Sequence, residues 1–144
     1  MSENYSIKDS RDYPVLLVDD NLDDVFIVKR LWKKWKIRNK LHHIADGEEA
    51  LNYLINKHTV SQVSLVLLDL SLPRINGFEI LEKLRKEPSC KDLPIIVLSG
   101  SERSDMVERC HKLGCDGFIE KPITYDILVE TLAKIQRPIK LVLK

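Results

Sequence analysis

Apolar residues along the chain fall into two alternating patterns. Short unbroken runs occupy 15–18 (VLLV), 63–68 (VSLVLL) and 94–98 (PIIVL), with weaker ones at 41–45 (LHHIA) and 116–119 (DGFI). Between them lie stretches with helical spacing: Val28, Leu31, Trp32 and Trp35; Ala50, Leu51, Leu54 and Ile55; Phe78, Ile80, Leu81 and Leu84; Ile127, Leu128, Leu132 and Ile135. An unbroken apolar run is what a strand looks like when helices cover both its faces. Strand and helix in strict alternation give βαβ units, right-handed crossovers and a parallel sheet. The punctuation agrees. "ADGEEA" at 45–50 offers Asp46 as a helix cap with acids in the first turn, "LGCDG" at 113–117 ends a helix, and "KP" at 121–122 breaks the chain again. The pattern predicts a three-layer α/β domain of five parallel strands and five helices.

Composition narrows this without redirecting it. The 144 residues suit one domain with one core, and 44% apolar with 31% charged residues describes a globular chain. A net charge of +1 gives no global pull toward nucleic acid or membrane. No apolar stretch is long enough to span a bilayer and no signal-peptide pattern opens the chain, so the reading expects a cytoplasmic protein with reduced thiols. Residues 1–12 read as a polar leader, 13–137 as the domain and 138–144 as a short tail. Pro138 stops the last helix, and the apolar residues after it either fold back on the core or serve association by strand addition. Three cysteines are too few and too odd in number for a disulfide framework, and "CHKLGC" at 110–115 falls short of a four-ligand zinc site.

In a parallel sheet of this kind ligands bind outside the carboxyl ends of the strands. The residues just past the apolar runs are Asp19 and Asp20, Asp69, Ser99 and Lys121. Three carboxylates on one edge are unfavourable unless something positive sits among them. Mg²⁺ suits the place, because it takes oxygen ligands and is usually held by one or two carboxylates together with phosphate oxygens. Lys121 offers a point charge to a phosphoryl oxygen, Ser99 a hydroxyl, and an Asp carboxylate is itself a competent phosphoryl acceptor. Singly, each has a plainer reading: a helix cap, a loop acid, a strand-end hydroxyl, a solvated lysine. Their joint occurrence at four strand ends argues against those.

"VLLVDDN", "LVLLDLSLPRINGFEIL", "PIIVLSGS" and "GFIEKPI" together resemble, in order and spacing, the receiver domain of two-component response regulators, over roughly Pro14 to Arg137. The resemblance implies a (βα)5 flavodoxin-like fold with Asp69 as the acceptor of a phosphoryl group from a sensor histidine kinase or phosphotransfer protein. It implies Mg²⁺, for which Mn²⁺ can substitute, held directly by Asp20 and Asp69, by Asp19 largely through water, and by the backbone carbonyl of Ser71. Lys121 would pair with Asp69 at rest and with the phosphoryl group afterwards. Ser99 would swing toward that group and Phe118 would follow it inward, while the Lys121–Pro122 bond would be cis and Gly77 would end the loop after Asp69. Ser99 stands where Thr is commoner and Gly100 where Ala is usual. Neither departure removes a required group. With seven residues after Arg137, the expectation is a single-domain regulator whose surface is read by a downstream protein. It resembles the small regulators paired with phytochrome-type kinases, and homodimerisation is a habit of the family.

Rival readings meet obstacles in the residues. A haloacid-dehalogenase-type phosphatase wants a second acid two positions after its nucleophile, and Ser71 stands there. A flavodoxin-like flavin binder wants a neutral phosphate loop, where "DDNLDD" would repel the phosphate. A receiver-like scaffold that works without phosphorylation would usually have lost one of the acid, hydroxyl or lysine groups. The basic stretch "KRLWKKWKIRNK" at 29–40 reads as a solvated helix face where a kinase docks rather than as a nucleic-acid site, because Trp32 and Trp35 share the apolar stripe.

Overall fold

Five strands, β1 (Val15–Val18), β2 (Leu41–Ile44), β3 (Leu65–Asp69), β4 (Ile95–Ser99) and β5 (Gly117–Glu120), form one parallel sheet in the order β2-β1-β3-β4-β5. The computed structural model describes residues 13–101 and 103–135, so the leader at 1–12 and the tail at 138–144 lie outside the described residues. Five helices of two turns or more connect and follow the strands: α1 (Leu22–Lys34), α2 (Gly47–Ile55), α3 (Gly77–Lys86), α4 (Ser104–Lys112) and α5 (Tyr125–Lys134). Two further short turns, one at Lys57–Val60 capped by Asn56 and a 3-10 turn at Pro88–Cys90, are not signalled by the apolar pattern.

Successive side chains of a strand point to opposite faces, so each apolar run feeds two cores. Leu16, Val18, Val66, Leu68, Ile95 and Val97 meet α2, α3 and Cys110 of α4 on one face. Val15, Leu17, Leu65, Leu67, Ile96 and Leu98 meet Val25, Val28 and Trp32 of α1 and Leu128 of α5 on the other. The unbroken runs therefore exist because helices cover both sides. Helix starts follow local chemistry: Asn21, Asp46 and Thr124 accept backbone N–H groups at the starts of α1, α2 and α5, and Asn76 and Glu79 form a capping box on α3. The helical stripes are narrower than their spacing suggests. Ile55 and Ile127 point to solvent, and Trp35 is half-buried against Tyr125 with ring centroids 5.5 Å apart.

All seven basic residues of the 29–40 stretch are exposed, while Trp32 is buried and donates its indole N–H to the Asn39 carbonyl at 2.8 Å. The basic run is thus a solvated face. Among the described residues, no helix is long and apolar enough to cross a membrane.

Strand register sets the site. Val18 pairs with Leu68, so Asp19 and Asp69, each one residue further on, stand side by side at the carboxyl edge. Asp69 pairs with Leu98 and Ser99 with Glu120, which brings Ser99 and Lys121 to the same edge.

Candidate functional site

Carboxylate oxygens of Asp19, Asp20 and Asp69 all lie within 4.8 Å of one another. Asp19 and Asp69 are buried and Asp20 is exposed. The backbone holds the two buried acids in place. Asn21 N–H donates to Asp19 Oδ1 at 2.9 Å, Ser71 N–H donates to Asp69 Oδ1 at 3.3 Å, and the His43 ring donates to the Asp19 carbonyl at 2.7 Å. Gly77 lets α3 start directly beneath: a Cβ there would come within 2.7 Å of the Asp69 carbonyl oxygen.

Lys121 reaches this cluster from β5. Its ammonium lies 2.8 Å from Asp24 Oδ2, 3.1 Å from Asp19 Oδ2 and 3.4 Å from Asp69 Oδ1. The expected pairing with Asp69 is present, but Asp24 and Asp19 are closer. Asp24 belongs to the first turn of α1, where its charge serves the helix dipole as well. The Lys121–Pro122 bond is cis, and Lys121 N–H donates to the Ser99 carbonyl at 2.7 Å, tying β5 to the end of β4.

Ser99 is buried and its hydroxyl is turned into its own loop, donating to the Ser101 carbonyl at 2.9 Å and accepting from the Ser101 N–H at 3.2 Å. Gly100 faces open space. Phe118, three residues before Lys121, is half-buried beside the core under α4. An open cleft of about 560 Å³ lies over the site, lined by Asp20, Asn21, Asp69, Ser71, Gly100 and Lys121 among others. That is ample room for a phosphoryl group with water.

The electrostatics are unbalanced. Four carboxylates, counting Asp24, share this edge with one ammonium, which contacts three of them, Asp24, Asp19 and Asp69. Burial first, and then the charge of Asp19, push Asp69 up to about 6 despite the Lys121 ammonium. Burial alone would lower Lys121, but the hydrogen bond to Asp24 and the charges of Asp69 and Asp19 outweigh it and raise it. A hard divalent cation is what this donor set fits: oxygen ligands only, converging, in excess negative charge and open to water on one side. The bond-forming atoms of CHKLGC do not compete, because among the described residues the three aspartates are the only acid, histidine or cysteine group with metal-holding geometry.

Asp69 carries a measurable cost of this imbalance. Its folded value of about 6 exceeds the ordinary 3.8, so the folded state binds the proton more tightly than the unfolded one. The associated stability is complete below about pH 4 and is lost as pH rises through 6. Asp69→Asn removes the penalty. In chelator at pH 7.5 the variant is expected to gain roughly 1–3 kcal/mol in urea unfolding, a gain that closes below about pH 4. Equal stability of the two proteins across that range would contradict the charge imbalance.

Comparison with known proteins gives a consistent result. The family profile described as response regulator receiver domain matches residues 15–133. The probable methanogenesis regulatory protein FilR2 of Methanothrix harundinacea is 29% identical over 125 residues, spanning 85% of this chain and 80% of the relative. The solved bacteriophytochrome response regulator AtBRR superposes with a TM-score of 0.76 at 27% identity, covering 88% of this chain and 94% of the other. The Mn²⁺-bound form of response regulator Rcp1 superposes at 0.70 with 26% identity, covering 88% and 98%.

Proposed function

The chain belongs to the response regulator receiver family, a family of two-component signalling, and from that premise we propose that Asp69 accepts a phosphoryl group from a histidine kinase or phosphotransfer protein. The observation that carries the reading is the convergence of Asp19, Asp20 and Asp69 with the Lys121 ammonium at one sheet edge.

In the proposed step an Asp69 carboxylate oxygen attacks phosphorus and forms the P–O bond of an acyl phosphate. The P–N bond to the donor imidazole breaks, and the imidazole keeps its electron pair. Asp20 and Asp69 would hold Mg²⁺ directly, Asp19 largely through water, and the Ser71 carbonyl would complete the protein's share. When bound, the ion supplies charge neutralisation for the phosphoryl oxygens. Lys121 then moves its charge from Asp24 and Asp19 toward the new phosphoryl oxygens, a shift of contacts rather than a long swing. The Ser99 hydroxyl leaves Ser101 for a phosphoryl oxygen, and Phe118 closes into the space beneath it. The output is a changed surface around β4, α4 and β5, read by another protein.

Helix α1 supports the choice of donor. Leu22, Phe26 and Ile27 are exposed at 72%, 61% and 46%, and Ile27 lines an apolar hollow with Pro122 and Ile123 next to Lys121. Such a surface suits a helical partner that delivers a phosphohistidine to the cleft.

The test is intact mass after incubation with acetyl phosphate. The wild type is expected to gain one phosphoryl group with Mg²⁺ and none in chelator, and Asp69→Asn to gain none. Absence of the adduct with both acetyl phosphate and a kinase donor would move the chain to a scaffold that works unphosphorylated.

A further inference from the structure

The C-terminal end of α4 carries a second reactive cluster, outside the phosphoryl site. The helix ends in a Schellman motif: Gly114 N–H donates to the His111 carbonyl and Cys115 N–H to the Cys110 carbonyl, each at 3.0 Å. Gly114 makes the turn with a φ of 104°, a left-handed conformation that glycine adopts without a steric cost. In this motif the side chains at the two ends of the longer hydrogen bond meet across the turn, usually as an apolar contact. Here both ends are cysteines.

Both thiols are buried, Cys110 at 0% and Cys115 at 6% exposure. Interaction with the neighbouring Cys115 thiol holds Cys110 below the usual thiol range, while the Cys110 sulfur and then burial raise Cys115. His111 Nδ1 lies 3.8 Å from Cys115 Sγ, a base at hand for a thiol proton. The turn is fastened from outside, since Arg85 donates to the Gly114 carbonyl at 2.8 Å and to the Asp116 carboxylate at 3.0 Å. Cys90, the third cysteine, is differently placed and donates its thiol to the Leu54 carbonyl at 3.3 Å. A single buried thiol is an ordinary small core residue. Two thiols at the contacting positions of one cap, with an imidazole beside them, are a preassembled pair.

We propose that Cys110 and Cys115 form a redox-active dithiol that closes to an intramolecular disulfide on exposure to hydrogen peroxide. One sulfur attacks peroxide as the thiolate. An S–O bond forms, the O–O bond breaks, and the departing hydroxide takes up the thiol's proton as water, leaving a sulfenic acid. The second sulfur attacks that sulfur, the S–S bond forms, the S–O bond breaks, and hydroxide leaves with the second thiol proton as another water. Two sulfurs are oxidised by two electrons in all and one peroxide is reduced. The bond would lock the end of α4 to the entry of β5, the strand that carries Phe118. The inference stands on the cap geometry and does not depend on phosphorylation.

The experiment treats the folded full chain with hydrogen peroxide, quenches in acid, and alkylates the remaining thiols in denaturant. Alkylatable thiols are expected to fall from three to one, with Cys90 the survivor and the protein lighter by two hydrogens. Trypsin cuts after Arg109 and Lys112, so the tripeptide 110–112 should emerge joined to the peptide that begins at Leu113. Cys110→Ala and Cys115→Ala, checked for folding by circular dichroism, should each form no internal disulfide and instead trap as a sulfenic acid with dimedone at the remaining partner. Three thiols still alkylated, oxidation confined to added oxygens in the wild type, or a bond that involves Cys90 would each overturn the proposal. If neither variant folds, the joined wild-type peptide decides.

Discussion

Asp20→Ala should fold as well as the wild type and lose Mg²⁺ affinity by at least about 100-fold in isothermal titration, since even outer-shell partners of bound metals commonly contribute 10–100-fold. The two halves of this expectation come from one fact. Asp20 is exposed, and among the described residues its carboxylate has no role except membership of the acidic cluster. Truncating an exposed side chain without partners changes stability by about 0.5 kcal/mol or less. Asp19 is a poorer probe, because its carboxylate also receives the Asn21 N–H and the Lys121 ammonium, so its removal would disturb the loop as well as the ion. Unchanged affinity in folded Asp20→Ala would mean that Mg²⁺, if bound at all, sits elsewhere.

Lys121→Met should separate charge neutralisation from metal binding. The long apolar stem is kept and the ammonium is lost. Phosphorylation by acetyl phosphate at saturating Mg²⁺ is expected to slow by roughly 10²–10³-fold, the usual consequence of removing one donor aimed at developing charge. Mg²⁺ affinity should rise instead of fall, because the ammonium competes with the ion for Asp19 and Asp69. In chelator the variant should also be less stable by about 3–5 kcal/mol, the typical effect of leaving buried carboxylates without their cation, and Mg²⁺ should restore much of the loss. A stopped-flow or quenched mass time course gives the rate, and urea unfolding with and without the ion gives the stability. A rate equal to the wild type would exclude Lys121 from the transfer step.

The residues at the strand ends were legible because their positions follow from register, and register follows from unbroken apolar runs that need two covered faces. Asp19, Asp69, Ser99 and Lys121 meet for that reason alone. Asp24 was not legible as a partner of Lys121. An acid in the first turn of a helix already has a sufficient local explanation, and its ammonium partner lies 97 positions away. Its place in the turn that opens at the ligand edge is the signal that would have found it. The surface apolar residues escaped for a different reason. A 3.6-residue period marks a face but not its width, so Ile55 and Ile127 were counted inward, while Leu22, Phe26 and Ile27 stayed unread as a surface. The four hydrogen bonds from Arg85, to the carbonyls of Gly114, Cys90 and Leu93 and to Asp116, join segments that only the fold brings together. No local pattern in the chain announces them.

The central claim is an acyl phosphate on one named carboxylate, and its direct test is borohydride trapping. Borohydride reduces an acyl phosphate to an alcohol, which turns a phosphorylated aspartate into homoserine. After treatment with acetyl phosphate and Mg²⁺, then borohydride and peptide mapping, homoserine is expected at position 69 alone, and none is expected when Mg²⁺ is chelated first. Homoserine at Asp19, Asp20 or any other acid, with Asp69 recovered intact, would contradict the account.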